Sequence, residues 1–410
     1  MKSFMSVTKR RDVSAWCLIS MLLMTPHAAK ADPDEFFSPY VGASYRYDSN
    51  FFRVENDQAA LARLGTTDKA VTAYLLTAGL DLNWQFRRQR IKAKTEISRT
   101  RFEKYSALDF TGHDTRLQWD WVVGSVLKGD AGVSEKTGQS SFVNIRQPLN
   151  NLLTVRQAFF HGDIQVGAPW KVKLGLEKLQ SRNSLASQKT QDAIIDTYSL
   201  GLEYQTLKGS KLEWVTEKND GHYPNRQILG VAPVDNGFTQ WDNGIRAYWE
   251  PTGKTRVMGR LNYTQRRYSD VPQRNFSGIT GSLGSTWQVT EKTALGLNIY
   301  RNIGVVENTT ASYSVNRGVA LNASWQATSK LVFNARLAHD RIAYTGDPGF
   351  VVTAAPPRED ELSSLLAEAS YRVLRNTAIG VNVQHGINES NQALAGYRYN
   401  SVTLNFRSVF

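Results

Sequence analysis

Apolar and polar residues alternate with a period of two in one segment after another, from residue 39 to the C-terminus. In the segment 73–84, one face carries Tyr74, Leu76, Ala78, Leu80, Leu82 and Trp84. The other face carries Ala73, Leu75, Thr77, Gly79, Asp81 and Asn83. Successive side chains of a β-strand point to opposite faces, so this period predicts strands and not helices.

The pattern predicts eighteen strands, an even number that is typical of bacterial outer-membrane barrels. They are placed at 39–54, 70–85, 90–105, 112–124, 128–140, 151–165, 170–182, 192–205, 210–219, 237–250, 255–269, 275–289, 293–307, 312–326, 330–344, 360–374, 377–387 and 394–410. The leucines of 360–374 also suit an amphipathic helix, so this strand is the weakest of the set.

Connections between the predicted strands alternate in length. Those after even-numbered strands are short, such as 167–169 and 251–254, whereas 55–69, 220–236 and 345–359 follow odd-numbered strands. Short turns at one end and long loops at the other are typical of outer-membrane barrels, with the turns in the periplasm. The sequence therefore predicts an all-β, transmembrane, antiparallel up-and-down β-barrel with both termini on the periplasmic side.

A soluble β-sandwich is the competing fold, because it also alternates apolar and polar positions. Aromatic residues close to strand ends favour a membrane barrel, where they form interfacial girdles. These residues are Trp84, Trp119, Trp121, Trp249, Trp287 and Trp325. A soluble barrel of this width could not fill its interior with side chains.

The N-terminus has the features of a cleavable signal peptide. Basic residues at 2 and 9–11 precede the apolar run 15–24, and Ala29-Lys30-Ala31 gives a small-x-small cleavage site. The run is too short to span a bilayer as a helix, which disfavours a retained anchor. The prediction divides the chain into a signal peptide, 1–31, and an outer-membrane barrel, 32–410, of a Gram-negative cell.

Composition narrows the chemistry further. The single cysteine, Cys17, lies inside the predicted signal peptide, so the mature chain has no disulfide and no thiolate metal site. The mean hydropathy is −0.40 despite 10 Trp, 17 Tyr and 17 Phe, as expected for strands with one face in lipid. The net charge of +12 indicates lipopolysaccharide phosphates or an acidic glycan as counterparts, since an exported chain rarely meets nucleic acid. No cofactor is predicted.

The C-terminus resembles the assembly signal of outer-membrane proteins, a terminal aromatic residue preceded by alternating apolar positions. Val402, Leu404, Phe406 and Phe410 fit, whereas Ser408 departs from the pattern. The outer-membrane assembly machinery is therefore an expected partner, together with outer-membrane lipid.

The first predicted strand carries a sharper resemblance. Residues 39–53 read PYVGASYRYDSNFFR, and this Y-x-Y-D-S-N-x-F-R stretch at the head of a barrel resembles the β-barrel porin 2 family. Within it, the exopolysaccharide-biosynthesis outer-membrane proteins of the EpsL type are the most similar. The resemblance implies a role with exopolysaccharide synthesis and export, with the polymer and periplasmic export proteins as partners. The resemblance implies no catalytic residues in this chain.

The faces opposite the apolar ones line the predicted lumen. Basic positions there are Lys92, Lys94, Arg116, Lys171, Lys173, Lys211, Arg246, Arg256, Arg260, Arg266 and Arg336. Acidic positions are Glu96, Asp120, Glu177, Glu203, Glu213, Glu217, Asp242 and Asp340. An ordinary ion-paired, hydrated lumen explains this set. The sharper hypothesis is a basic pathway for an anionic glycan through Arg246, Arg256, Arg260, Arg266 and Arg336, because rings of like charge set pore selectivity.

Three alternatives to a glycan channel stay open. A general diffusion porin needs only the barrel, and a non-conducting scaffold would dock export proteins at the rim. An outer-membrane hydrolase would need a catalytic group, for which Asp220 and His222 on one predicted exterior loop are the candidate dyad. The sequence has no G-x-S-x-G, Walker A or zinc-ligand spacing. It therefore favours a non-enzymatic channel that translocates or guides an exopolysaccharide.

Overall fold

The computed structural model describes residues 36–225, 227–229, 232–305, 313–345 and 356–410. The predicted signal peptide, 1–31, lies outside the described residues, so its cleavage stays a prediction. Within the described ranges, no helix is long and apolar enough to cross a membrane.

Eighteen long strands form one closed antiparallel barrel. They are β1 Phe37–Asp48, β2 Val71–Phe86, β3 Gln89–Phe102, β4 Phe110–Val123, β5 Leu127–Gln139, β6 Leu152–Gln165, β7 Trp170–Asn183, β8 Ala193–Gln205, β9 Lys211–His222, β12 Phe238–Thr252, β13 Thr255–Tyr268, β14 Phe276–Gln288, β15 Thr293–Val305, β16 Tyr313–Gln326, β17 Leu331–Thr345, β18 Glu359–Arg372, β19 Thr377–Ser390 and β20 Tyr397–Val409. The short strands β10 Gln227–Leu229 and β11 Ala232–Val234 form a separate hairpin between β9 and β12.

Each barrel strand pairs with its neighbours along the chain, and β1 closes the ring against β20. In that seam Ala43 lies opposite Phe406 and Tyr45 opposite Leu404. Closure matters because an open sheet edge would leave backbone N–H and C=O groups unpaired in lipid. The predicted up-and-down topology and strand number are confirmed, including the strand at 360–374, which is β18.

The first predicted strand, 39–54, is too long, because β1 ends at Asp48. The Asn50 amide accepts from the N–H of Val54 at 3.0 Å and donates to its carbonyl at 2.7 Å. Arg53 has a φ of 57°, in the left-handed region that an extended strand does not use. These hydrogen bonds therefore end the strand at Asp48, although the alternation of apolar and polar residues continues to residue 54.

The apolar face of the alternation points outward. Leu76, Leu261 and Leu337 are each more than half exposed on that surface, as lipid-facing residues are in the absence of lipid. Tryptophans concentrate at the end with short turns, at Trp84, Trp119, Trp121, Trp170, Trp214, Trp249, Trp287 and Trp325. Trp241 lies at the opposite end of its strand. The girdle of tryptophans therefore lies at the end of the barrel that the sequence predicts to face the periplasm.

Connection lengths alternate as the sequence predicts. The turns 87–88, 124–126, 166–169, 253–254 and 373–376 lie at one end of the barrel, and the longer connections lie at the other. Two short helices occupy the loop end: α1, Asp57–Leu64, and α2, Phe142–Ile145. Asn56 caps α1 by accepting from the N–H of Ala59 at 2.9 Å. The loop end therefore carries the ordered structure that can narrow the lumen.

Candidate functional site: the barrel lumen and its exterior mouth

Charged side chains cover the lumen side of β2 to β13, here called the charged wall, and many of them are ion-paired across neighbouring strands. On β3 and β4, Lys92 Nζ lies 2.5 Å from an Asp120 oxygen. Lys94 Nζ lies 3.5 Å from Glu96 and 3.6 Å from Asp114. Both lysines thus face acids on their own or the next strand, whereas Arg116 donates to Gln118 at 2.8 Å.

The same ladder continues around the ring to β12. Lys171 and Lys173 each lie 3.2 Å from Glu203. Lys173 also reaches Glu213 at 3.4 Å, and Arg246 reaches Glu213 at 3.6 Å. Both lysines and both glutamates are almost fully buried. Buried charges of this kind persist only when they are paired, which favours the ion-paired lumen over a free basic track in this part of the wall.

The lumen side of β14 to β19, here called the neutral wall, is built mainly from small residues, hydroxyls and amides. Its members include Thr280, Ser282, Thr286, Asn298, Asn302, Asn316, Asn322, Asn334, Ser364, Ser370, Asn382, Gln384 and Asn388. Its charged members among the described residues are Arg336, Asp340, Asp360, Glu368 and Arg372. The barrel therefore presents a charged wall and an uncharged, hydrogen-bonding wall to one lumen.

The five arginines of the predicted basic pathway all lie at lumen-facing positions, but in different environments. Arg246 is ion-paired with Glu213 and, at 3.1 Å, with Glu217. Arg256 lies 3.0 Å from Glu250 at the turn end of β13.

The other three arginines contact amides. Arg260 Nη2 lies 3.4 Å from Asn302 Oδ1, and Arg336 Nη1 lies 3.0 Å from Asn322 Oδ1. Arg266 donates to Gln240 at 2.7 Å and is buried against the Phe238 ring. Only Arg246 and Arg260 are direct cross-strand neighbours, and Arg336 lies on β17. A basic pathway through all five therefore stays a prediction.

A small hydrophobic core forms between the connections at the loop end. Phe51 and Phe52, from the β1–β2 connection, each lie with ring centroids 5.0 Å from that of Phe142. Leu108, from the β3–β4 connection, is fully buried in the same cluster. Burial of this much aromatic surface fixes these loops to each other. The exterior mouth is therefore a packed structure and not a fringe of independent loops.

One segment, 140–151, crosses the mouth; we call it the mouth segment. Arg146, at the end of α2, donates to the carbonyl of Leu394 and, at 2.8 Å, to that of Ala395 in the β19–β20 connection. Its guanidinium also lies 5.6 Å from the ring centroid of Tyr397. Burial lowers the pKa of the Arg146 guanidinium, and the positive charges of Arg358 and Arg63 lower it further. Arg146 therefore connects the mouth segment to the β19–β20 connection and to the start of β20.

The mouth segment and the barrel strands around it enclose a cavity of about 170 Å³. It is lined by Ser140, Ser141, Val143, Ile145, Asn151, Leu153, Ser181, Asn183, Gln188, Gln191, Ile342, Tyr344, Arg358, Asp360, Leu362, Asn388 and Tyr397. The Arg358 guanidinium packs 4.7 Å from the Tyr344 centroid and lies 2.5 Å from Asp360. Amides, tyrosines and one ion pair thus converge on a single narrow space.

Sequence reasoning did not identify this cavity. Tyr344, Asp360 and Tyr397 lie near strand ends, where alternation could have marked them as lumen-facing. Arg146 has no such signal, because its partners lie about 250 residues away in the chain and it belongs to no periodic segment.

The residues of the predicted hydrolase dyad have other partners. Asp220 accepts from Lys218 at 2.7 Å and from Thr239 at 2.9 Å, and His222 is exposed at the end of β9. In the described ranges, no group of three metal-binding side chains is present.

The residues of the predicted assembly signal lie on β20 and just beyond it. Val402, Leu404 and Phe406 face outward, and Phe410 is exposed at the turn end. Ser408, the departure from the pattern, is buried and lies 2.9 Å from the Thr377 hydroxyl. Its hydroxyl therefore replaces an apolar contact with a cross-strand hydrogen bond.

Comparison with solved structures concerns the fold. The crystal structure of Pseudomonas aeruginosa OpdQ has a TM-score of 0.50 at 9% identity, with 91% of this chain and 97% of that chain covered. The structure of Pseudomonas aeruginosa OccK2 (OpdF) in complex with glucuronate has a TM-score of 0.50 at 10% identity, covering 91% of this chain and 98% of that chain. At such identity the likeness concerns the fold alone. The chain therefore has the fold of outer-membrane β-barrels.

The comparison with protein families gives a more specific match. Residues 259–410, from β13 to the C-terminus, match the family described as Putative beta-barrel porin 2. This is the family that residues 39–53 resemble at the other end of the chain. No curated protein matches this sequence.

Proposed function

We propose that this barrel is the outer-membrane conduit of an exopolysaccharide-producing system, in which the polymer passes through or along the lumen. The single observation that carries the proposal is the composition of the mouth cavity. Five amide side chains line it: Asn151, Asn183, Gln188, Gln191 and Asn388. The amide NH₂ groups of Asn151, Asn183 and Asn388 donate within the protein, so Gln188 and Gln191 are the amides proposed to meet a sugar. Sugar hydroxyls both donate and accept, so paired amide groups suit them better than a one-sided field of charge does.

Two tyrosines at the cavity add a second feature that suits sugars. Tyr344 and Tyr397 line the space from β17 and β20. Aromatic side chains combine a large apolar face with a polar edge, and the faces of a pyranose ring are apolar while its rim is polar. The neutral wall below the cavity continues the same hydroxyl and amide chemistry toward the periplasm.

Deletion of the gene, followed by localisation of the polymer, tests the proposal directly. We expect capsular or slime polymer to disappear from the medium and to accumulate in the periplasm, with restoration by the wild-type gene on a plasmid. Unchanged secretion in the deletion strain would contradict the proposal.

A second assay tests contact between saccharide and cavity. Purified barrel in planar bilayers should conduct, and oligosaccharides released from the strain's own polymer should interrupt the current from the exterior side. The variant Gln191→Leu removes an amide from the cavity, and we expect a shorter blocked time. Gln384→Leu, which removes a lumen-facing amide of β19 outside the cavity, is the matched control. Equal block in both variants would place saccharide contact elsewhere.

A general diffusion porin is the second candidate, favoured by the neutralised ion-pair ladder of the charged wall. Such a pore would conduct without saccharide-dependent block and would leave polymer export unchanged on deletion. The two experiments above therefore separate the candidates.

A further inference from the structure

Three arginines form a continuous row on the outer surface of the barrel, outside the lumen. Arg301 on β15 lies directly opposite Arg317 on β16, and Arg317 lies directly opposite Arg341 on β17. All three alternate with the lumen-facing residues of their strands, so they point to the lipid side. We call Arg301, Arg317 and Arg341 the arginine row.

The row is an unfavourable arrangement for the isolated barrel. Side chains directly opposite each other on neighbouring strands lie about 5 Å apart at Cβ, and like charges there are destabilising. Arg341 is compensated by Glu359 at 2.5 Å and, more distantly, by Glu361 at 3.9 Å. Arg301 donates to the backbone carbonyl of Ile279. Among the described residues, no carboxylate lies within ion-pairing distance of Arg301 or Arg317.

Some outward-facing bases toward the exterior end are paired with acids. Arg156 on β6 contacts Glu135, and Lys178 on β7 lies 3.0 Å from Asp196. Acids therefore neutralise some outward-facing bases on the same surface, whereas Arg317, at the centre of the row, has none among the described residues. Such a cluster is suited to an external anion that meets more than one guanidinium.

The depth of the row in the membrane fits the outer leaflet. Arg317 and the girdle residue Trp325 lie on the same face of β16, eight positions apart. At about 3.3 Å per residue and a tilt of about 40°, this separation corresponds to roughly 20 Å of membrane depth. The apolar band of such barrels is about 25 Å tall, so the row lies close to the exterior boundary of the hydrocarbon.

An apolar groove of about 810 Å³ adjoins the row on the same outer surface. Its outward-facing walls are Ile245, Leu261, Ile279, Leu283, Ile299 and Val319, and the row borders it. Gly259 and Gly281 present no side chain on this face, which leaves the depression between the larger neighbours. An acyl chain fits a groove of this lining, and an anionic head group attached to it would meet the guanidinium groups.

We propose that the arginine row and the groove form a binding site for a phosphorylated glycolipid of the outer leaflet, the lipid A part of lipopolysaccharide. The phosphates lie on Arg301 and Arg317, with Arg341 at the edge, and an acyl chain lies in the groove toward the periplasm. Charge complementarity selects this occupant, because a zwitterionic phospholipid brings an amine that would face the same guanidinium groups.

Binding to lipid A in detergent tests the site. The barrel is refolded from urea into micelles free of lipopolysaccharide and titrated with bisphosphorylated lipid A, with dephosphorylated lipid A and with inorganic pyrophosphate, using native mass spectrometry. We expect saturable binding of bisphosphorylated lipid A, and binding of the dephosphorylated lipid at least ten-fold weaker. Pyrophosphate binding as tight as that of lipid A would overturn the lipid assignment.

Variants locate the site. Arg301→Gln/Arg317→Gln should weaken lipid A binding at least ten-fold, and Arg301→Lys/Arg317→Lys should recover most of it. The matched control Arg156→Gln/Lys178→Gln removes the same number of outward charges and should stay within two-fold of wild type. Because the row is repulsive without lipid, the glutamine variant should melt in micelles at or above the wild-type temperature. Equal affinity of wild type and Arg301→Gln/Arg317→Gln would overturn the proposal.

Discussion

At the residue scale, the most informative side chain is Arg146, because it holds the mouth segment against the opposite rim. Its planar guanidinium donates to two successive backbone carbonyls, those of Leu394 and Ala395. A lysine presents one compact ammonium and cannot reproduce that fork. The attachment of the mouth segment therefore depends on hydrogen-bond geometry as well as on charge.

We predict that Arg146→Ala widens the exterior mouth and raises single-channel conductance about two-fold or more in planar bilayers. Arg146→Lys should give an intermediate value. Arg156→Ala, which removes an arginine from the outer surface, should leave conductance unchanged. If Arg146→Ala conducts as wild type does, the mouth segment does not limit the current.

A second residue-scale prediction concerns Asp48, a fully buried carboxylate at the exterior end of β1. It is held by Arg53 at 2.8 Å and by Arg46 at 3.0 Å. Removing one partner of a buried ion pair costs about 3 kcal/mol or more, because the other charge stays buried without compensation. Asp48→Asn should therefore lower the free energy of unfolding by about that amount in urea titrations of the folded barrel.

The exposed pair Asp68–Lys104 is the matched comparison, with both side chains about half exposed. Exposed ion pairs contribute about 0–1 kcal/mol, so Asp68→Asn should change stability by less than about 1 kcal/mol. Similar losses of stability in the two variants would mean that burial does not raise the cost of breaking the ion pairs of Asp48.

At the element scale, the strands and the alternating lengths of their connections were predictable, whereas the structure within the connections was not. Each strand repeats one rule, apolar toward lipid and polar toward the lumen, over about a dozen positions, so β2 or β17 can be found from its own residues. The end of β1 at Asp48 depends instead on the Asn50 side chain and on the left-handed Arg53. The mouth cavity depends on contacts between strands that are distant in the chain. Contacts between distant strands leave no periodic pattern in the sequence, so the sequence does not identify the cavity as a site.

The two faces of one strand should respond oppositely to an added charge. On β17, Leu337 is exposed to lipid, whereas Asn334 lies in the lumen directly opposite Glu368. An arginine on the lipid face near the bilayer midplane costs about 2–4 kcal/mol. Leu337→Arg should therefore destabilise the barrel in lipid vesicles by about 2–4 kcal/mol, and Asn334→Arg by much less, since Glu368 can pair with it. Reversed effects would mean that the faces are assigned the wrong way round.

At the scale of the whole molecule, the two walls give the lumen two chemically different surfaces. The charged wall is rich in buried, paired ions and gives the barrel a hydrated interior without a large net field. The neutral wall and the mouth cavity offer hydrogen bonds without strong charge. A polymer of sugars could slide along such a surface, because weak and similar contacts repeat at every step and none holds it tightly.

Ion selectivity tests this view of the whole lumen. With most bases paired, we predict that the wild-type pore discriminates weakly between K⁺ and Cl⁻ in reversal-potential measurements under a salt gradient. Glu213 and Glu217 both neutralise Arg246, and Glu213 also neutralises Lys173. Glu213→Gln/Glu217→Gln should therefore free positive charge in the lumen and shift the pore toward Cl⁻, and the shift should fade as salt screens the field. Glu359→Gln/Glu361→Gln, which removes two acids from the outer surface, should leave selectivity unchanged. A wild-type pore with strong anion selectivity would instead support a continuous basic pathway through Arg246, Arg260 and Arg336, and strong cation selectivity would contradict both descriptions of the lumen.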